Sequence, residues 1–228
     1  MLYTRQSVRE NLRNRDGKRV FYLGKGDQLT SDARDFLSRE RIPILPAEQA
    51  RQEAYRLLSG GMVTEKPEHM THLNAQVLVS KTHPRIAFRG GIDALEAQLL
   101  LCQSCADERV YGQLQQALEL ARVLISCDVL EEPVPDMQLG GMDEKALRAR
   151  SHRPQEFYGQ PHFMPDGTDP KLLLQINLAR AVARKAELLA LAAFTDRDGN
   201  PTRPDILQAM NRLSSYLYIL MIEIKANK

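Results

Sequence analysis

Apolar positions in the second half of the chain repeat at helical spacing. Ile92, Leu95, Leu99, Cys102 and Ala106 recur at about 3.5 residues, the period of a bundle helix. Val110, Leu114, Ala117, Ala121 and Leu124 carry the pattern through residues 108–131, until the prolines of EPVPD stop it. Ile206, Met210, Leu213, Leu217, Leu220 and Ile224 mark a last helix over residues 204–224, opened by Pro204. The stretch NLARAVARKAE (177–187) is patterned differently. Ile176, Ala179, Ala183, Ala186 and Ala190 make a small-residue face that lets neighbouring helices approach closely, while Asn177, Arg180, Arg184 and Glu187 form one polar stripe. Residues 143–150 make a short charged helix.

The first 60 residues alternate differently. Leu2–Leu12 reads as a short basic amphipathic helix, RVFYLG (19–24) as a strand, LTSDARDFLSRER as a helix capped by Thr30 or Ser31, and IPIL (42–45) as a second strand. A small β-α-β unit follows. GKGD (24–27) lacks the spacing of a phosphate loop and is expected to be a turn. Residues 46–60 are expected to be a helix that stops at Ser59, Gly60 and Gly61, and EKPEHMTHL then begins as an irregular polar segment. The expected organisation is a small α+β unit over residues 1–60 and a mainly α, helical-bundle domain over residues 61–228.

Composition narrows the class of partner. Basic and acidic residues number 31 and 29, giving a net charge of +2, so no global field favours nucleic acid or a membrane surface. Any anion site must be local. No apolar run approaches the 18 or so residues of a transmembrane helix, and the N-terminus lacks the apolar core of a signal peptide. A cytoplasmic location is expected. Three cysteines do not make a disulfide framework, and Cys102 and Cys105 lie in a helical pattern rather than in the turn a zinc site uses.

Candidate chemistry lies in the polar stripe and around it. Two guanidiniums and a carboxylate on a bundle helix are either a solvated face with an ordinary ion pair or a surface built for a polyanion. Asp93, one turn from Gly90 and Ala97, is an acid that can partner Arg180. The segment SHRPQEFYGQPHFMPDGTDP (151–170) has the length of a binding loop, and Phe157, Tyr158, His162 and Phe163 either cover a planar ligand or plug the bundle end. Asn211, Ser214, Ser215 and Tyr218 edge the last apolar seam, where they either read a nucleoside or bond to the backbone. His69 and His72 have no carboxylate or thiol pattern nearby that completes a metal site.

Three blocks in order, KTHPRIAFRGGIDALEA (81–97), RAVARKAE (180–187) and NRLSSYLYIL (211–220), resemble the ATP:cob(I)alamin adenosyltransferases. THLNAQVLVSKTHPRIAFRGGID, RPDILQAMNRLSS and the upstream LTSDARDFL are most similar to the ethanolamine-utilisation, EutT, type. The resemblance implies a bundle of about five helices that forms a homo-oligomer, commonly a trimer or else a dimer, with ATP and corrinoid bound between subunits. It further implies transfer of the 5′-deoxyadenosyl group of ATP to cob(I)alamin, with Mg as the nucleotide's metal and cobalamin as the second substrate. The product would supply ethanolamine ammonia-lyase or its reactivation system.

Residue by residue, Asp93 and Arg180 match an inter-subunit salt bridge beside the ATP site and, with Arg184, are the expected catalytic set. Lys81 and Arg184 match triphosphate contacts, and Glu187 and Asn211 match positions around Mg-ATP and its adenosine. Lys66 and Thr71 are expected to replace an N-terminal glycine-rich ATP loop that is missing here. HFMP (162–165) matches the loop that walls the corrin; an ungapped match sets His162 at the aromatic position with Phe163 beside it, and Phe88 joins this corrinoid group. The histidine and CCxxC that bind a metal in some EutT proteins have no counterpart in residues 46–68, so no structural metal is expected. Lys185 stands where relatives often carry a second arginine. The competing reading is a non-catalytic bundle that carries corrinoid or senses nucleotide.

Overall fold

The computed structural model describes residues 1–15, 18–50 and 54–226, and divides into two compact units: Met1–His83 with Val129–Glu131, and Pro84–Asp128 with Glu132–Lys228. The boundary therefore falls after His83 rather than at residue 60, because residues 61–83 pair into the N-terminal sheets.

In the N-terminal unit β1 (Leu2–Tyr3), α1 (Arg5–Glu10), β2 (Arg13–Arg15) and β3 (Lys18–Leu23) are followed by β4 (Gln28–Leu29), α2 (Ser31–Arg39) and β5 (Ile44–Pro46). Strand β5 lies parallel to β3, so the expected β-α-β unit forms. Thr30 caps α2 by accepting the Ala33 N–H, and Val8, Phe21, Leu29, Ala33, Leu37 and Ile42 close a small core. The GKGD segment is a turn, with the Asp27 N–H donating to the Gly24 carbonyl at 3.1 Å.

The helix expected over 46–60 does not form. A 3-10 turn at Ala47–Gln49 is followed by β6 (Tyr55–Leu57), β7 (Met62–Val63), β8 (Met70–His72) and β9 (Val77–Ser80), in the sheet order β7-β6-β9-β8; residues 51–53 lie outside the described residues. Gly60 and Gly61, at φ 98° and 88°, close the β6–β7 hairpin instead of ending a helix, a conformation that glycine adopts without steric cost. Part of EKPEHMTHL is likewise strand, Thr71 standing opposite Val79.

The second unit contains α3 (Pro84–Gln103), α4 (Glu108–Leu130), α5 (Glu144–His152), α6 (Pro154–Tyr158), α7 (Lys171–Phe194) and α8 (Pro204–Ala226). The apolar stripes read from the sequence form its core, with Ile92, Leu99, Leu114, Ala183, Leu213 and Leu217 fully buried and Ala106 and Ile224 partly buried against them. Each leucine or isoleucine buried this way is worth about 1.5–3 kcal/mol. Helix α7 lies between α3 and α8. At Gly91 of α3 an added Cβ would meet Leu189 at 2.9 Å and the Ala186 backbone at 3.3 Å, so glycine and alanine together set the close α3–α7 approach. Part of the 151–170 segment is helical, because Pro154 opens α6 and Gly159, at φ 64°, ends it.

A buried ion cluster ties α3 to α4. Asp128 is fully buried and accepts from Arg85 Nε at 2.7 Å and Arg89 Nε at 2.6 Å. Two arginines one turn apart bring a guanidinium to each carboxylate oxygen, which offsets the cost of desolvating the acid.

Candidate functional site

Helix α7 carries Asn177, Arg180, Arg184 and Glu187 along one side, because residues three and four apart on a helix share a face. The alanines behind them are fully buried. Arg180 is half-buried, and its Nε and Nη2 both donate to Asn177 Oδ1, at 3.3 and 3.0 Å. Its guanidinium lies 5.9 Å from the centre of the Tyr218 ring. Burial first, and the Arg184 charge second, lower the Arg180 pKa from its ordinary value, with Tyr218 acting the other way. Among the described residues no carboxylate lies within ion-pair distance of Arg180 or Arg184. A half-buried cation with only a neutral amide and a ring beside it is electrostatically incomplete, which favours the polyanion reading of the stripe over the solvated one.

The far end of the stripe meets α8. Asn211 Nδ2 donates to Glu187 Oε1 at 2.9 Å, so these two candidate residues form one cluster. Their hard oxygen donors, a carboxylate and an amide, suit Mg held with nucleotide phosphates. Ser214 and Ser215 both donate back to the Asn211 carbonyl, at 3.0 and 3.1 Å, which leaves their oxygens as acceptors at the groove.

A groove of about 510 Å³ opens beside Arg180 and Arg184, between α7, Tyr218 of α8 and the His162–Pro165 loop. The loop is tied to α8. The Phe163 N–H donates to the Tyr218 hydroxyl at 3.4 Å, and that hydroxyl lies 3.1 Å from His162 Nδ1. His162 Nε2 lies 3.2 Å from the His152 carbonyl. A carbonyl only accepts, so Nε2 carries a proton, and in the neutral ring Nδ1 receives the Tyr218 O–H. Both rings stack on Tyr218, His162 at 5.8 Å and Phe163 at 6.1 Å, while Lys225 lies over the Phe163 ring. Met164 is 90% exposed at the same wall.

Other candidates lie elsewhere. Phe88, expected on the corrinoid side, is fully buried and packs edge-to-face on Phe194 at 5.4 Å, so it supports the core and does not line the groove. Asp93 is exposed on α3, and no ion pair joins it to Arg180 within the chain. Lys81, Lys66 and Thr71 belong to the N-terminal unit. Lys81 pairs with Glu68 at 3.0 Å, and its hydrogen bond and charge, with the Lys66 charge, hold that carboxyl below its ordinary range. Cys102 is buried, which pushes its thiol up to about 11, and Cys105 is exposed. Among the described residues no three His, Cys, Asp or Glu side chains converge to hold a metal ion.

Sequence reasoning missed the Asp128 cluster and the anchoring role of Tyr218. Neither has a periodic signal, since His162 and Tyr218 are 56 residues apart.

The family model for cobalamin adenosyltransferases matches residues 62–224. The chain belongs to the cobalamin adenosyltransferase family. Among curated members, the corrinoid adenosyltransferase EutT of Salmonella typhimurium is 30% identical over 216 residues, covering 95% of this chain and 80% of that one. The EutT of Escherichia coli K12 is 32% identical over 160 residues, covering 70% of this chain; the match spans only 60% of the E. coli protein. The adenosyltransferase fold is shared with a variant of a PduO-type ATP:corrinoid adenosyltransferase from Lactobacillus reuteri, solved with cobalamin and ATP, at a TM-score of 0.54 and 18% identity over 70% of this chain and 91% of that one.

Proposed function

We propose that this adenosyltransferase moves the 5′-deoxyadenosyl group of ATP to cob(I)alamin, giving adenosylcobalamin and triphosphate. The observation that carries the reading is the cationic pair Arg180 and Arg184, which has no carboxylate in ion-pair distance among the described residues, borders the groove and continues along α7 to Glu187 and its partner Asn211 of α8. The cobalt(I) electron pair attacks C5′, the C5′–O bond breaks, and its electrons leave with triphosphate. Negative charge grows on the leaving group, so fixed guanidinium donors stabilise the transition state more than the ground state. Glu187 and Asn211 would hold Mg together with ATP, and the ion would neutralise part of that charge.

The loop held by Tyr218 walls the corrinoid. With both His162 ring nitrogens engaged, the loop offers the cobalt face ring surface and the Met164 side chain, in place of a free nitrogen lone pair. Asp93 is exposed on α3 and Arg180 half-buried on α7, and among the described residues neither has an ion-pair partner. Their pairing between subunits completes the site in a homo-oligomer. Leu178, Leu188 and Leu191 of α7, all more than 40% exposed, give such an interface apolar area. Lys66, Thr71 and Lys81 supply further phosphate contacts. We place the enzyme in the cytoplasm, where it supplies ethanolamine ammonia-lyase; no described helix is long and apolar enough to cross a membrane.

The test is product analysis. Anaerobic incubation with Mg-ATP and chemically reduced cobalamin is expected to give a light-sensitive alkylcobalamin and triphosphate in equal amounts. Bound cobalamin that never alkylates would leave only the carrier reading.

A further inference from the structure

The N-terminal unit holds a cavity of about 920 Å³, lined by none of the residues proposed above for adenosyl transfer. Its lining is cationic and aromatic. Arg13 and Arg56 are the charged residues that line it among those described. Neither arginine has a carboxylate within ion-pair distance among the described residues, whereas Arg5, Arg19 and Lys81 of the same unit reach Asp32, Glu40 and Glu68.

Both arginines sit on paired strands, which fixes their backbones. Arg13 of β2 is opposite Val20, and Arg56 of β6 lies between Met62 and Val77 of its neighbours. Tyr3, Tyr22 and Tyr55 line the same space. Two of these rings are held by edge-to-face contacts, Tyr3 on Phe21 at 5.2 Å and Tyr55 on His72 at 5.3 Å. The positive field is felt locally: after burial, the Arg13 charge is the largest influence lowering the His72 pKa.

We propose that this cavity binds a nucleotide, an aromatic base carrying phosphate, at a site separate from the one used in adenosyl transfer. Guanidiniums in a fixed frame match phosphate geometry with two parallel hydrogen bonds each. Tyrosine faces stack on a planar base and offer hydroxyls to its edge. The volume suits a ligand of nucleotide size. Lys66, Thr71 and Lys81, proposed above to touch the ATP that reacts, do not line the cavity, so the two nucleotides use different residues.

The experiment is equilibrium dialysis of the full chain with labelled ADP and no corrinoid. Arg184→Ala, which weakens the bundle site, is expected to keep one ADP per protomer. Adding Arg13→Ala and Arg56→Ala to it is expected to weaken that remaining binding at least tenfold, while adenosyl transfer by the Arg13→Ala/Arg56→Ala protein with native Arg184 is unchanged at saturating ATP. Should the combined changes perturb folding, seen as an altered melting curve, Arg56→Gln alone is expected to weaken the remaining binding several-fold. Unchanged ADP binding in these variants, or none in Arg184→Ala, overturns the proposal, and it does so whether or not the protein alkylates cobalamin. Displacement of ADP by pyrophosphate but not by adenosine would also overturn it, leaving a site for phosphate alone.

Discussion

The Tyr218 hydroxyl stands 3.1 Å from His162 Nδ1 and also receives the Phe163 N–H, so one side chain of α8 fixes two consecutive residues of the loop. Removing only the hydroxyl, in Tyr218→Phe, keeps the stacked ring and cancels both bonds. Each is worth about 1 kcal/mol. The expected result is a roughly tenfold fall in kcat/KM for cob(I)alamin, with KM for ATP near the native value, measured by steady-state kinetics under anaerobic conditions. An equal effect on both substrates would show that Tyr218 does not act through the loop.

The Asp128 cluster gives a stability prediction. Asp128→Asn removes the buried charge that Arg85 and Arg89 share, a loss of about 3–5 kcal/mol by comparison with broken buried pairs. For a chain of this size that corresponds to a melting temperature lower by roughly 10 °C. Thermal unfolding monitored by circular dichroism checks it. A melting point within about 2 °C of the native one would mean that the pair contributes little.

Asp205, in the first turn of α8, gives a pH prediction. The Arg203 hydrogen bond, opposed by partial burial, lowers its pKa to about 2, and the Val134 N–H contributes as well. A carboxyl whose folded value lies below its unfolded value adds stability above pH 4 or so, and loses it as pH falls from about 4 to about 2. The contribution is on the order of 2 kcal/mol. Asp205→Asn is expected to lower the melting temperature at pH 6 and to flatten its fall between pH 4 and 2. Parallel acid profiles of native and variant proteins would contradict this.

Much of the bundle was legible because burial and period coincide there. The stripe through Ile206, Met210, Leu213 and Leu217 is the core face of α8, and Asn177, Arg180, Arg184 and Glu187 share one side of α7. The segment after Pro46 was misread, since Tyr55-Arg56-Leu57 alternates over too few residues to outweigh a glycine pair that suits a helix stop equally well. Phe88 illustrates the other limit. An aromatic residue inside a recognised block carries no signal for whether it faces ligand or core, and only packing on Phe194 decides it. The Ser214 and Ser215 hydroxyls were ambiguous for a related reason, because a helical serine always has a backbone carbonyl one turn back within reach.

Pairing between subunits can be tested through charge. Asp93→Asn is expected to lower kcat/KM for ATP about tenfold, the scale of one partly exposed charge pair at an active site, and to weaken self-association in sedimentation. Full activity with native association would show that Arg180 finds its counter-charge elsewhere.

The central claim is that the α7 arginines stabilise departing triphosphate, and Arg184 tests it most directly because it is exposed and outside the core. The measurement is the anaerobic loss of cob(I)alamin absorption with Mg-ATP, native protein against Arg184→Ala, together with both melting temperatures. Loss of one such donor costs about 3 kcal/mol in the transition state. The account predicts a variant slower by about a hundredfold that melts with the native protein. Native turnover by Arg184→Ala would contradict it.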